Sequence, residues 1–511
     1  MFKKDSKLDI LFVHSSASKK IYQGLSEDHS AIEPPIWAAM LANHCRTRNL
    51  STAILDAEAE RFTQSETVAM ISYMKPRIAC FVVYGQQPSA STQNMLGATE
   101  TAKLLKETDP SVITLFVGGH IAALPRDVLM RHYDCVDFIC QNEGVYTISN
   151  LAQAVKSGNF DKTKIKGLGF LNEDGNPILN ETERIVPKNL LSTDLPGMAW
   201  DLLPDINKYR TAGWHSWSNN TENTPFGALY TSLGCPFKCS FCMINIINRT
   251  DKSSGISSAD SNVFRFWEPE FIIKQFDQMA AMGIKNVKIA DELFVMNPRH
   301  FVKICDLLIE RDYGFNIWAY SRIDTCKPKY LDKLKAAGVN WLGLGIENPN
   351  TVLRKEVHKS GFKEIKINDV MASMKEAGIN IGANYIFGLP MDTKESMQET
   401  FDFAMNNITD MVNFYCAMAY PGSPLHLHAK REKIALPEKY SGYSQHSYDT
   451  LSLANKNLKS HEILDFRDKA WDAYHKNENY LNLLKNKFGP KARQNVENTT
   501  KIKLKRKILG D

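Results

Sequence analysis

Three thiols fall within eight residues of the stretch YTSLGCPFKCSFCMI, at Cys235, Cys239 and Cys242. Thiolates favour soft metals, and four of them close a zinc or iron–sulfur site. A C-x3-C-x2-C triplet on a single loop can instead hold three corners of a 4Fe-4S cube. One iron then stays without a protein ligand, as catalytic metals keep an exchangeable position. A zinc knuckle with a remote fourth ligand is the alternative, but zinc loops come as paired C-x2-C knuckles and no second pair is present. The other cysteines, Cys45, Cys80, Cys135, Cys140, Cys305, Cys326 and Cys416, sit mostly in apolar runs such as IACFVVY and FYCAMAY and read as core filler. Cys416, at a strand end, is also a candidate hydrogen donor in an active site, with burial the competing reading.

The elements that must position this loop follow from the rest of the chain. Its 511 residues exceed what one hydrophobic core organises, so two or three domains are expected. The hydrophobic share of 43% and charged share of 23% belong to an ordinary soluble protein. MFKKDSKLDILFVHSS reads as a first strand after a few ragged residues, and no apolar segment approaches the roughly 20 residues of a membrane span. A cytoplasmic protein with reduced thiols is expected. A formal net charge of +5 is weak on this length. The basic run KIKLKRKILGD reads as a solvated helix end, so a nucleic-acid partner is not expected.

From Leu8 to Ser157, strands (LDILFVH, STAILDA, RIACFVVY, VITLFVGG, VDFICQ) alternate with amphipathic stretches such as PPIWAAMLANHCRTRN. That pattern predicts a Rossmann-like, doubly wound α/β sheet over residues 1–160. In a flavodoxin-like strand order the loop at His14, Ser15 and Ser16 lies beside the loop from Gly85 to Ser89. Gly118, Gly119 and His120, with Asn142, Glu143 and Gly144, complete a rim for a ligand. Residues 161–225 form a linker with a β-hairpin around an Asp-Gly turn, GLGFLNEDGNPILN, and an aromatic cluster at Trp214, His215 and Trp217 that lines a cavity or packs the interdomain seam. A second alternation over 226–436 gives six βα units, an incomplete TIM-type barrel with the cysteine loop after its first strand. Residues 437–511 turn polar and helical.

With its CxxxCxxC triplet after the first strand of a partial barrel, the chain resembles the radical SAM superfamily. Asp291 and Glu292 in IADELF, and the strand-end segments SRID (321–324), GIEN (345–348), IFGLP (386–390) and YPGSPL (420–425), fall in that family's order. The resemblance covers most of 230–425. It implies that Cys235, Cys239 and Cys242 hold a 4Fe-4S cluster and that its open iron binds S-adenosylmethionine (SAM). One electron from an external flavodoxin- or ferredoxin-type donor then releases a 5′-deoxyadenosyl radical. By the same resemblance Glu292 contacts SAM, with Asp291 behind it. Arg322 and Glu347 meet its carboxylate or ribose, with a salt bridge inside the barrel as the alternative for both. Phe241 packs beside the cluster or adenine, or simply within the loop.

The first domain resembles the cobalamin-binding domains that precede such barrels, through EPPIWAAMLA (33–42), VGGHIAALP (117–125) and NEGVYTISNL (142–151). Many of those domains carry DxHxxG, whose histidine ligates cobalt from below; LDAEAERF has Asp56 without the histidine, so no such ligand is expected. Cobalamin contacts are expected from Ser15, Gly85, Ser89, Gly118, Gly119, His120, Glu143 and Gly144. The two domains together resemble the cobalamin-dependent radical SAM methyltransferases, and most closely the subgroup of the fosfomycin-pathway enzyme, which acts on a nucleotidyl phosphonate. What the resemblance implies is methyl transfer to an unactivated carbon of a small molecule. A cyclisation or rearrangement without methyl transfer and a non-enzymatic redox or cobalamin sensor are the other readings. A methylthiotransferase would need three more cysteines for an auxiliary cluster and a β-rich C-terminal module, but Cys80 lies within a buried-looking strand and the tail reads helical, so that reading is rejected.

Overall fold

Runs such as LDILFVH and RIACFVV are apolar at alternate and intervening positions alike, the composition of strands covered on both faces by crossover helices. The computed structural model describes residues 8–85, 89–158, 160–217, 222–249, 258, 261, 263–359 and 366–511. Its first sheet has parallel strands β1 (Leu8–His14), β2 (Thr52–Asp56), β3 (Pro76–Val83), β4 (Ile113–Gly118) and β5 (Phe138–Cys140), in the order β2-β1-β3-β4-β5. This is the flavodoxin-like order, with the carboxyl ends of β1 and β3 side by side. The expected hairpin is β6 (Leu168–Leu171) and β7 (Pro177–Leu179); it does not stand apart in a linker but extends the same sheet through antiparallel pairing with β5.

The second sheet starts at β8 (Phe226–Leu229). A two-stranded antiparallel ladder follows, β9 (Ser232–Leu233) with β10 (Arg265–Phe266). The chain then lays down β11 (Asn286–Ile289), β12 (Asn316–Arg322), β13 (Val339–Glu347), β14 (Asn380–Phe387) and β15 (Met411–Cys416). These five and β8 form a parallel sheet in the order β15-β14-β13-β12-β11-β8, each strand beside its predecessor. That is the incomplete barrel expected from six βα units.

One apolar core crosses the boundary between the sheets, running from Phe12 and Trp37 through Tyr230 and Met243 to Phe387 and Tyr474. Trp37 stacks on Tyr84 at 4.4 Å and tilts against Tyr230 at 6.4 Å, so aromatic packing continues across the seam. The seven scattered cysteines are all buried, as core filler should be, and only Cys235, Cys239 and Cys242 are partly exposed. Cys416 belongs to this core, its Sγ directed at the Ile463 carbonyl.

The C-terminal helices Ser460–His475, Glu478–Phe488 and Pro490–Thr499 pack on the outer barrel strand, where Arg467 Nε donates to the Phe414 carbonyl at 2.8 Å. The basic run after them corrects the expectation of a solvated helix end. KIKLKR alternates with period two, so it lies extended with its lysines outward, and the inward Arg506 is 1% exposed. Arg506 binds both carboxylate oxygens of Asp468 and the Ser447 carbonyl, while the Lys505 amide donates to Gln23. No helix among the described residues is long and apolar enough to cross a membrane.

Six histidines are buried among the described residues, His120, His215, His300 and His426 with His44 and His475. Burial pushes His120 and His215 down to about 3, and His300 and His426 down to about 4. Each therefore takes up a proton only on unfolding, so its contribution to stability is present above the unfolded value near pH 6.5 and is lost as the pH falls. The unfolding free energy from urea titrations should fall from pH 6.5 to 4.5, with a slope approaching about 1.4 kcal/mol per pH unit for each histidine engaged; a flat profile over that window would contradict the burial of these rings.

Candidate active site

The cysteine loop leaves β9 through Gly234, whose φ of +92° and contact with the Val263 carbonyl, 2.0 Å from where a Cβ would stand, admit only glycine. Asn245 then clamps Cys235 at both backbone groups: the Cys235 amide donates to Asn245 Oδ1 at 3.0 Å, and Asn245 Nδ2 donates to the Cys235 carbonyl at 2.8 Å. Further along, the Ser240 amide donates to the Val357 carbonyl, the Cys242 amide to the Cys239 carbonyl, and the Leu425 amide to the Ser240 carbonyl. The thiols thus project from a backbone held at every turn. Among the described residues no three Cys, His, Asp or Glu groups are gathered tightly enough to close on a single ion. A cube spreads its three protein bonds over three irons. Burial pushes the Cys235 thiol up to about 12 and raises Cys239 and Cys242 as well. Three thiolates here require a positive centre, which a metal cluster supplies.

Around the loop the barrel strands present their carboxyl ends. Asp291 is fully buried and spends both oxygens on the loop's entry, accepting from the Thr231 amide (2.5 Å), the Thr231 hydroxyl (2.6 Å) and the Ser232 hydroxyl (2.6 Å). It positions β9 through both oxygens. Glu292 beside it differs: Oε2 is buried without a partner, and burial lifts the carboxyl to about 8. Arg322 grips Asp324 with Nε (2.8 Å) and Nη2 (3.0 Å), points Nη1 at Cys239 Sγ (3.7 Å) and lies over the Phe237 ring at 3.7 Å. Glu347 is ion-paired with Lys359. Both side chains are thus ion-paired, Arg322 with Asp324 and Glu347 with Lys359. Phe241 packs between two apolar clusters, one with Ile386 and Leu389, the other with Leu425 and Leu453. Ser240 Oγ and Asn348 Nδ2, neither singled out from the sequence although both lie in quoted motifs, are also buried and unpartnered. Unmet acceptors and donors at Glu292, Ser240 and Asn348 fit a ligand carrying amine, carboxylate and hydroxyl groups, as SAM does.

The rim expected on the first sheet divides in two. Ser15 and Ser89 line a cavity of about 480 Å³. Gly85 lines a pocket of about 20 Å³ beside it, with Trp37, Tyr84 and Tyr230. Gln86, Gln87 and Pro88 lie outside the described residues. The other half of the rim is filled by protein. Gly118 has φ +150° and its Cβ would stand 2.1 Å from the Val83 carbonyl, while Gly119 lets Met243 of the cysteine loop approach to 2.8 Å of its Cβ position. His120 is buried beneath Tyr440 and bonded to Thr92, although its Nε2 is unpartnered. Glu143 is not at a ligand rim: it pairs with Arg265 Nη2 at 2.6 Å and accepts from the Val186 amide at 2.5 Å, with both partners of the ion pair buried. Gly144 packs against Val117 and Cys140.

The large cavity is shared. Trp214 and Trp217 line it, as one of the two readings of that cluster has it, with Lys288, Trp318 and Tyr415 from the barrel interior and Trp471 and Tyr480 from the C-terminal helices. His215 turns away, bonded to Thr211 and the Asn316 carbonyl. Lys288 is paired with Glu33 at 2.9 Å and lies 4.7 Å from the Trp318 ring. A chamber lined by both aromatic and polar side chains, with an unpartnered Ser15 hydroxyl at the sheet end, fits a large amphipathic cofactor such as cobalamin.

A thiol triplet on a partial barrel, joined to a flavodoxin-like sheet by a shared chamber, defines a cofactor-dependent redox enzyme. Residues 229–404 match the Radical SAM superfamily and residues 29–152 match the B12 binding domain. The chain is a radical SAM enzyme of the B12-binding kind, with a 4Fe-4S cluster, SAM and cobalamin as its cofactors. An uncharacterised methyltransferase of Pyrococcus horikoshii is 25% identical over 447 residues, 86% of this chain and 88% of the relative. The anaerobic magnesium-protoporphyrin IX monomethyl ester cyclase of Cereibacter sphaeroides is 23% identical, over 89% of this chain and 68% of the cyclase. The cytidylyl-2-hydroxyethylphosphonate methyltransferase of Streptomyces wedmorensis is 22% identical, over 66% and 64%. Among solved structures, the cobalamin-dependent radical enzyme OxsB with aqua-cobalamin and SAM bound shares the fold, at a TM-score of 0.67 and 16% identity over 96% of this chain and 70% of that one.

The Glu143–Arg265 pair joins the sheets, so Arg265→Met should cost about 3–5 kcal/mol by stranding a buried carboxylate. Arg46→Ala, which breaks the exposed pair with Asp201, should cost at most about 1 kcal/mol. Urea unfolding of the two variants checks the contrast.

Proposed function

We propose that the enzyme transfers a methyl group to an unactivated carbon of a small molecule. The observation that carries this reading is the shared chamber: strand-end residues of the B12-binding sheet and interior residues of the barrel face one volume. Methyl donor and radical acceptor carbon would meet there. When bound, the cluster and SAM supply a hydrogen-abstracting radical, and methylcobalamin supplies the methyl group. Cys235, Cys239 and Cys242 hold the cluster, Arg322 offsets the charge of Cys239, and Glu292, Ser240 and Asn348 seat SAM. Tight packing of Met243 on Gly119 and of Phe241 between its two apolar clusters keeps water from the radical.

The reading is also supported by the methyltransferases among the relatives, whereas the cyclase supports the alternative of radical chemistry without methyl transfer. A phosphonate substrate is a weaker inference. Lys288 is the one lysine or arginine among the described residues lining the chamber, and Glu33 already neutralises it; Asp28 and Glu58 add negative charge. The lining favours a substrate with little negative charge and a broad apolar or aromatic surface.

Anaerobic reconstitution with iron and sulfide should yield about four irons per chain, one cluster's worth, and Cys239→Ala should lose nearly all of them while Cys416→Ala keeps them. During turnover with a reductant, methyl transfer requires S-adenosylhomocysteine and 5′-deoxyadenosine together with a product heavier by one methyl. Substrate conversion without S-adenosylhomocysteine would replace this reading with the cyclase one.

A further inference from the structure

We infer that His14 ligates the cobalt of bound cobalamin from below, oriented by Asp56. The inference rests on the cobalamin assignment above and concerns which protein atom meets the metal. No histidine accompanies Asp56 in its own loop, but the register of β1 on β2 pairs His14 directly with Asp56. The two side chains bond, Nδ1 to Oδ1, at 2.9 Å. Asp56 Oδ1 also accepts from the Ala59 amide at 3.1 Å, and Oδ2 accepts from the Tyr209 hydroxyl at 2.9 Å. A carboxylate that accepts on both oxygens leaves His14 Nδ1 as the donor. The neutral ring then carries its lone pair on Nε2. A carboxylate holding one ring nitrogen while the other is bare is the arrangement that metal-binding histidines adopt.

The position agrees. His14 ends β1, beside β3, at the reversal of strand order where such sheets receive ligands. It lines both the large chamber and the small pocket at the sheet end, and its neighbour Ser15 buries an unpartnered hydroxyl. No protein group among the described residues bonds Nε2. Among the described residues, the other histidines lining the chamber have no carboxylate on Nδ1 and do not end a strand: His29 Nδ1 meets the Thr499 hydroxyl, His475 Nδ1 meets the Trp471 carbonyl, and the His446 ring packs on Tyr22.

The test is electron paramagnetic resonance of the full chain loaded anaerobically with cob(II)alamin. A nitrogen on the axial position splits each cobalt line into three. The cofactor's own benzimidazole would do the same, so the protein is also made in a histidine auxotroph fed nitrogen-15 histidine. The expected result is a change from three lines to two on labelling, and loss of the two-line pattern in His14→Ala and in His14→Gln. An unsplit spectrum, a three-line pattern unmoved by the label, or a two-line pattern that survives both substitutions would overturn the inference while leaving the cobalamin assignment intact. Failure of the wild-type chain to retain corrinoid would remove both.

Discussion

The buried ion pair of Glu143 and Arg265 sets where the two sheets meet. Glu143 follows the last parallel strand of the first sheet, and Arg265 belongs to the small ladder at the root of the cysteine loop. Arg265 also donates to the Val186 carbonyl and to Asn248, six residues beyond Cys242. Four segments distant in sequence therefore share one guanidinium. Sliding either sheet would separate two charges in a site with no water to replace the partner, so the pair fixes register more than it adds stability. Lys288 and Glu33 repeat the device on the chamber side, where the lysine spans from barrel strand to the first domain.

With the seam fixed, the molecule separates two kinds of surface. The thiol loop is a polar nest with backbone bonds at each turn and three buried polar atoms unmet. The chamber mixes indole and phenol rings with serine, amide and imidazole groups, and its one lysine is paired with Glu33. Chemistry that begins with a charged sulfonium and proceeds through a neutral carbon radical calls for both, adjacent and separately lined.

Much of this was legible in the chain. Alternating apolar runs marked the strands of both sheets, since each parallel strand must be followed by a covering helix, whereas the β2-β1-β3 reversal of the first sheet came from the flavodoxin-like analogy. The cysteine loop was legible because metal ligation demands one residue type at short spacing. Contacts between residues far apart in sequence were not. Nothing in NEGVY marks Glu143 as an ionic partner of Arg265 rather than a ligand contact, and Gly118 and Gly119 read as ligand approach points although they admit Val83 and Met243. His14 and Asp56 are 42 residues apart and become neighbours only through β-register. The tail misled because a run of lysines was weighed by charge, when its period of two already indicated an extended strand of chain.

That tail has a consequence for assembly. Asn495, Val496 and Thr499 line the chamber, and the segment beyond them is fastened to Gln23, which follows the first strand. The lining of the chamber is therefore complete only once the C-terminal helices have docked against the segment that follows the first strand.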